Sequence, residues 1–196
     1  MARFDLDTFY EAEMAEHRAV AEASHARLRE DFHALVDAAL ATVNDGGKLL
    51  FFGNGGSAAD SQHLATELTV RYSRNRAPIP ALALTTDTSA LSAIGNDLGF
   101  DRLFARQIEA LGRPGDLAIA ISTSGRSRNI VAALEQARAM DLRTAALSGG
   151  DGGDLHGLAT PLILVPSRTT ARIQEMHITL GQMLCGAMEQ ALGLVE

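Results

Sequence analysis

The chain predicts an α/β fold, a doubly wound parallel sheet with helices on both faces and a helical segment in front of it. Three observations carry this prediction. Short apolar runs alternate with longer amphipathic ones along most of the 196 residues, the order expected of a parallel sheet with crossover helices. Residues 48–52 and 116–121 lack the polar alternation of a half-exposed strand and read as strands buried on both faces. Each of these two runs leads into a glycine- and hydroxyl-rich loop, Gly53-Asn54-Gly55-Gly56-Ser57 and Ser122-Thr123-Ser124-Gly125-Arg126-Ser127, and then into a helical pattern.

In chain order, residues 6–25 and 26–44 space their apolar side chains between charged ones, as two helices or one bent helix would, and Gly46-Gly47 stops the pattern. Strands are expected at residues 49–52, 81–84, 117–121, 144–147 and 162–165, giving a five-stranded sheet. Helical stretches at residues 58–72, 89–94, 103–111 and 130–140 separate most of them. A last long helix is expected over residues 170–192, with Pro166 and Ser167 marking the turn before it. The glycine-rich residues 148–153 read as the loosest stretch, a loop at the carboxyl edge of the sheet. With no repeat or interdomain linker, residues 1–196 read as one domain, and residues 1–45 as its added helices.

Composition excludes several functions. A formal net charge of −7 argues against an extended nucleic-acid-binding surface, so no direct nucleic-acid partner is expected. Cys185 is the only cysteine and cannot form an internal disulfide. No apolar run reaches the roughly 20 residues that span a bilayer, and residues 1–7 lack the basic start and apolar stretch of a secretion signal. A cytoplasmic protein with a small-molecule ligand and no membrane partner is the expectation.

Both loops should lie at the carboxyl ends of strands. There glycines let the backbone approach a ligand, and the unpaired N–H groups of the next helix attract negative charge. Gly53, Gly55 and Ala58 fit the dinucleotide pattern G-x-G-x-x-A, but the acidic residue wanted roughly 20 residues on has no counterpart at that spacing, Asp87 lying well beyond it. The second loop discriminates better, because Ser122, Thr123, Ser124 and Ser127 offer four hydroxyls beside backbone donors. That set suits a terminal phosphate, hence a phosphorylated small molecule, although the same residues also serve as turn formers and helix caps. His63 and Glu67, four apart on the helix after the first loop, share one helical face. The pair could hold a metal or a sugar, or be a histidine and a carboxylate on a solvated surface. A carboxylate at such a site can abstract a proton beside a carbonyl.

Four separated motifs give the chain a resemblance: G-N-G-G-S-A-A-D-S-Q-H-L-A-T-E-L from Gly53, L-T-T-D-T-S-A-L-S-A-I-G-N-D from Leu84, S-T-S-G-R-S from Ser122, and A-R-I-Q-E-M-H from Ala171. They are similar to those of the sugar isomerase (SIS) domain family, and within it of the phosphoheptose isomerases. The resemblance implies a five-stranded parallel sheet and amino-terminal helices that help to build a homotetramer. It also implies interconversion of an open-chain ketose 7-phosphate (sedoheptulose 7-phosphate) and the matching aldose 7-phosphate through an enediol. By the same resemblance, Asn54, Gly55, Gly56, Ser57, Asn96, Asp97, Ser122, Thr123, Ser124 and Ser127 contact substrate, and Glu67 and Gln174 belong to the catalytic set, Glu67 as general base. Zinc in the family is held by a histidine, a glutamate, a glutamine and a second histidine, of which His63, Glu67 and Gln174 match three.

The fourth position, eight residues past Gln174, is Gln182 rather than histidine. An amide does not trade protons near neutral pH, and zinc prefers imidazole, thiolate or carboxylate, so Gln182 is a weak candidate ligand and no general acid. His177 belongs to the A-R-I-Q-E-M-H motif and its helical angle turns it away from Gln182. The chain also resembles the DnaA-initiator-associating proteins, which share the fold and tetrameric assembly, in that motif, in the loop from Asp151 to Leu155 and in lacking the second histidine. That resemblance implies a non-catalytic regulator with the replication initiator DnaA as partner. Retention of Glu67 and of both complete loops speaks for the isomerase.

Overall fold

The computed structural model describes residues 4–195, so the expectations for residues 1–3 and 196 lie outside the described residues. The chain opens with helices α1 (Leu6–Arg27) and α2 (Arg29–Asn44). It continues with β1 (Leu49–Gly53), α3 (Gly56–Thr69), β2 (Ala81–Ala83) and α4 (Thr88–Asp97). A 3-10 turn (Phe100–Arg102) leads to α5 (Ala105–Leu111), β3 (Leu117–Ile121) and α6 (Arg128–Ala139). Then come β4 (Arg143–Gly149), a 3-10 turn (Gly153–Leu155), β5 (Leu162–Val165) and α7 (Thr170–Ala191).

The five strands pair in the order β2-β1-β3-β4-β5, every neighbour parallel. β1 and β3 are buried along their whole length. Their side chains alternate between two cores. Leu49, Phe51, Leu117 and Ile119 face α2, α3 and α7 through Leu35, Leu64 and Leu184, whereas Leu50, Phe52 and Ala118 face α5 and α6 through Ile108 and Leu134. Burial on both faces is what removes the polar alternation from the sequence of these strands.

The chain leaves β1 for β2 on one side and returns to β3 on the other, so the order reverses between β1 and β3. Their carboxyl ends, with Gly53 in register with Ile121, flank the crevice in which open parallel sheets bind ligands.

Several boundaries differ from expectation for physical reasons. The break between the first two helices falls at Leu28, which is 5% exposed and stays in the hydrogen-bonded chain through its N–H to the Ser24 carbonyl at 2.9 Å. α3 begins at Gly56 and stops at Thr69 instead of residue 72, because the Arg76 guanidinium takes its last carbonyls. β4 extends to Gly149, where its end pairs with β5 through Ser148–Leu164 and Gly149–Val165. Part of the stretch expected to be loose is therefore strand. Among the described residues, no helix is long and apolar enough to cross a membrane.

Candidate active site

The first loop turns tightly at the end of β1. A Cβ on Gly53 would lie 2.7 Å from the Ile121 carbonyl oxygen and 2.7 Å from the Ser57 Cβ, so only glycine lets β1, β3 and the start of α3 meet here. Gly55 (φ 57°) precedes α3, and no side chain caps that helix. Ser57 is 3% exposed, tucked against Gly53 with its N–H on the Asn54 carbonyl at 3.0 Å. Gly56 lies beneath Gln174 of α7, whose Nε2 would be 2.6 Å from an added Cβ. Gln174 thus reaches the first loop from more than a hundred residues away.

In the second loop Ser122 is 6% exposed, and its Oγ accepts from the Gly125 N–H at 3.2 Å, while the Ser124 Oγ accepts from the Arg126 N–H at 3.3 Å. Gly125 adopts φ 64° and presses on the Gly152–Gly153 backbone, where any Cβ would collide. Arg126 Nη2 donates to Asp151 Oδ2 at 2.7 Å and holds that carboxyl below its ordinary value. Ser127 occupies the N-cap position of α6 but makes no capping bond with its side chain. By contrast, Asp5 and Asp87 cap α1 and α4. Both helices that start at the crevice, α3 and α6, leave their first N–H groups without a side-chain acceptor, which favours an anionic ligand.

A reciprocal amide pair joins the loops. Asn54 Nδ2 donates to Asn129 Oδ1 at 2.9 Å, and Asn129 Nδ2 donates to Asn54 Oδ1 at 2.8 Å. Asn129 is 2% exposed and sits in the first turn of α6, so the pair fixes the distance between the starts of α3 and α6. A pocket of about 610 Å³ opens beside the second loop, walled by Thr123, Ser124, Arg126, Asp151 and Arg168.

His63 Nε2 lies 3.0 Å from Glu67 Oε1, with their side chains 46% and 21% exposed. Asp60, one turn earlier, has its carboxyl raised by burial against the opposing pull of His63. Asn96 and Asp97 are exposed at the end of α4, where Asn96 Nδ2 donates to Asp97 Oδ1 at 2.7 Å. Neither makes a hydrogen bond to the two loops among the described residues. Their segment reaches the site indirectly, since Asp101 pairs with Arg128 at the start of α6 at 3.1 Å.

The zinc set implied by the resemblance can be tested on the donors themselves. His63 and Glu67 are the two members that zinc ordinarily takes, and they are paired with each other. Gln174 and Gln182 contribute only amides. Among the described residues no three His, Cys, Asp or Glu side chains come together as a metal would require. This donor set does not fit a resident four-coordinate zinc.

Other candidates resolve into the core. His177 is 0% exposed and its Nε2–H donates to the Ser148 carbonyl at 3.0 Å. Burial pushes the Cys185 thiol up to about 12, which makes it a packing residue. Three features of the site escape a reading of the sequence: Asn129, the Arg126–Asp151 pair, and the Arg76–Glu189 pair at the end of α3. Each depends on partners distant in sequence. The glycines around Asp151 read as a loose loop, whereas Gly152 and Gly153 are packed against Gly125.

Comparison with known proteins agrees with this geometry. The SIS domain family model matches residues 13–149. The chain is 56% identical to the phosphoheptose isomerase of Paramagnetospirillum magneticum over 93% of its own length and 95% of the relative's. It is 50% identical to that of Rhodospirillum rubrum over 85% and 90%. The phosphoheptose isomerase structure from Neisseria gonorrhoeae superposes with a TM-score of 0.89 at 41% identity, covering 95% of this chain and all (100%) of that one. The chain therefore belongs to the SIS domain family and, within it, to the phosphoheptose isomerases.

Proposed function

We propose that the chain interconverts sedoheptulose 7-phosphate and D-glycero-D-manno-heptose 7-phosphate. The observation that carries this reading is the uncapped start of α6, ringed by Ser122, Thr123, Ser124 and Ser127 and tied to the first loop by the Asn54–Asn129 pair. Backbone N–H groups and hydroxyls there take the phosphate. Asn54, Gly55, Gly56 and Gln174, gathered at the start of α3, line the way to the sugar, and Asn96 and Asp97 join at its far end. Glu67 takes the proton from the carbon beside the carbonyl while water protonates the carbonyl oxygen, giving an enediol; it then returns the proton to the neighbouring carbon as the other enediol hydroxyl gives up its proton to water, so that ketose becomes aldose. His63 orients the carboxylate through their hydrogen bond.

Assembly belongs to the same proposal. Glu67 stands about 16 Å along α3 from Gly56 by helical rise, and it does not line the pocket beside the second loop. A neighbouring copy that brings its own α3 against this crevice shortens the span between phosphate clamp and base. The exposed apolar side chains Phe4, Leu6, Phe9, Tyr10 and Met14 at the amino-terminal helix offer the surface for it. We assign residues 1–45 to that contact and expect a cytoplasmic homotetramer; light scattering that finds only monomer contradicts this.

The observation favouring a regulator that binds the initiator DnaA is Gln182 in place of histidine. Identity to isomerases over nearly both whole lengths favours catalysis. A coupled assay with sedoheptulose 7-phosphate, with and without added zinc, separates the two. Turnover supports the isomerase, and capture of the initiator by a protein without turnover supports the regulator.

A further inference from the structure

The chain after α3 carries three arginines, Arg71, Arg74 and Arg76. In the fold one of them is singled out. The side chains of Arg76 and Glu189 are each 1% exposed and meet through Arg76 Nε and Glu189 Oε1 at 2.8 Å. Burying two ions is costly unless the donors and acceptors around them are paired, and here four of the five guanidinium N–H groups and both carboxylate oxygens are engaged. Glu189 Oε1 also accepts from the Tyr72 N–H at 2.8 Å, and Oε2 accepts from the Ser73 N–H at 3.3 Å and the Ser73 hydroxyl at 2.9 Å. Arg76 Nη1 donates to the carbonyls of Leu68 at 2.6 Å and Ala77 at 3.0 Å, and Nη2 donates to the carbonyl of Glu67 at 2.8 Å.

Two of these acceptors, the carbonyls of Glu67 and Leu68, end α3 without a partner inside the helix, and that of Leu68 also accepts from the Ile79 N–H at 3.0 Å. Helices commonly satisfy such carbonyls with a left-handed glycine, but the residue closing α3 is Val70 in a right-handed conformation. The guanidinium takes the glycine's place and binds the backbone of Glu67 itself. Glu189 lies on α7, the helix that also carries Gln174 and Gln182. The pair therefore sets where the turn bearing Glu67 stands against α7. Burial works to raise the Glu189 carboxyl, and the donors from Tyr72, Ser73 and Arg76 overcome it, so the carboxylate stays charged.

We infer that Arg76 and Glu189 are positioning residues for the isomerisation: a buried clamp that holds the backbone of the general base in register with α7. The inference rests on the reading of Glu67 as the base. Arg76→Lys keeps the charge but cannot reach Glu67, Leu68 and Glu189 at once. Glu189→Gln leaves the guanidinium unpaired.

Arg76→Lys, Glu189→Gln and Glu67→Gln are to be compared with the wild type in steady-state turnover of sedoheptulose 7-phosphate, well below their melting temperatures. A base displaced by a fraction of an ångström to an ångström loses up to about 10²-fold in rate. We expect Arg76→Lys and Glu189→Gln to lower kcat about 10-fold or more with KM changed less than about threefold, because the phosphate is held by another loop. A lower melting temperature with kcat intact overturns the inference, since a purely structural pair behaves so. Persistent turnover in Glu67→Gln removes the reading beneath it, a result distinct from loss in Glu67→Gln with full kcat in Arg76→Lys. Should both clamp variants fail to fold, Ser73→Ala removes only the Ser73 hydroxyl bond to Glu189. A several-fold fall in its kcat at constant KM supports the clamp, and an unchanged kcat overturns it.

Discussion

Acidification should destabilise this protein through His177 before most carboxylates titrate. The imidazole is fully buried, its Nε2–H is committed to the Ser148 carbonyl, and its Nδ1 has no partner among the described residues. Burial holds its pKa at about 4, against an ordinary 6.5, because a proton on Nδ1 would place an uncompensated charge in the core. The unfolded chain takes up that proton first. Between pH 6.5 and about 4 the unfolded state therefore binds more protons than the folded state, and stability falls as the pH drops. At about 1.4 kcal/mol per pH unit, the loss amounts to roughly 3 kcal/mol, complete near pH 4 and absent above pH 7. The comparison is His177→Gln, whose amide can still donate to Ser148 and does not titrate. Urea unfolding followed by circular dichroism at fixed protein concentration, from pH 7.5 to 4, gives both curves. Shared carboxylates cancel in their difference. The wild type should lose about 3 kcal/mol relative to the variant over this range, and parallel curves would refute the assignment.

Other outcomes follow from the site. Ser122→Ala with Ser124→Ala removes two hydroxyl contacts to a phosphate dianion, and at about 1.5 kcal/mol each, affinity for sedoheptulose 7-phosphate should fall roughly 10²-fold by calorimetry; undiminished affinity would place the phosphate elsewhere. Gln182→His supplies an imidazole where the chain has an amide, so zinc affinity and turnover should both rise; a wild type that turns over briskly and slows on this change would mean that another group already serves as the acid.

The sheet was legible because its central strands are extreme cases. Burial of β1 and β3 on both faces leaves runs with no polar member, and the loops after them announce strand ends with glycine. Boundaries set by distant partners were not legible. The end of α3 is fixed by Arg76 and by Glu189 on a helix more than a hundred residues away, and nothing local marks it. A serine at position 127 reads as a helix cap, and only the three-dimensional placement of its side chain shows that it does not cap. The joining of the loops by Asn54 and Asn129 is likewise a tertiary fact. Glycines at 149–153 were ambiguous in principle, since mobility and close packing both select for them. Here Gly152 and Gly153 are pressed against Gly125.

The account turns on Glu67. Wild type and Glu67→Gln should be compared side by side for turnover of sedoheptulose 7-phosphate and for its binding by calorimetry. If the carboxylate moves the proton while the second loop holds the phosphate, the variant binds within about threefold of wild type, and its turnover falls by roughly 10²- to 10⁴-fold. Equal turnover in the two proteins would contradict the assignment of Glu67 as base, and no turnover in either would contradict the isomerase itself.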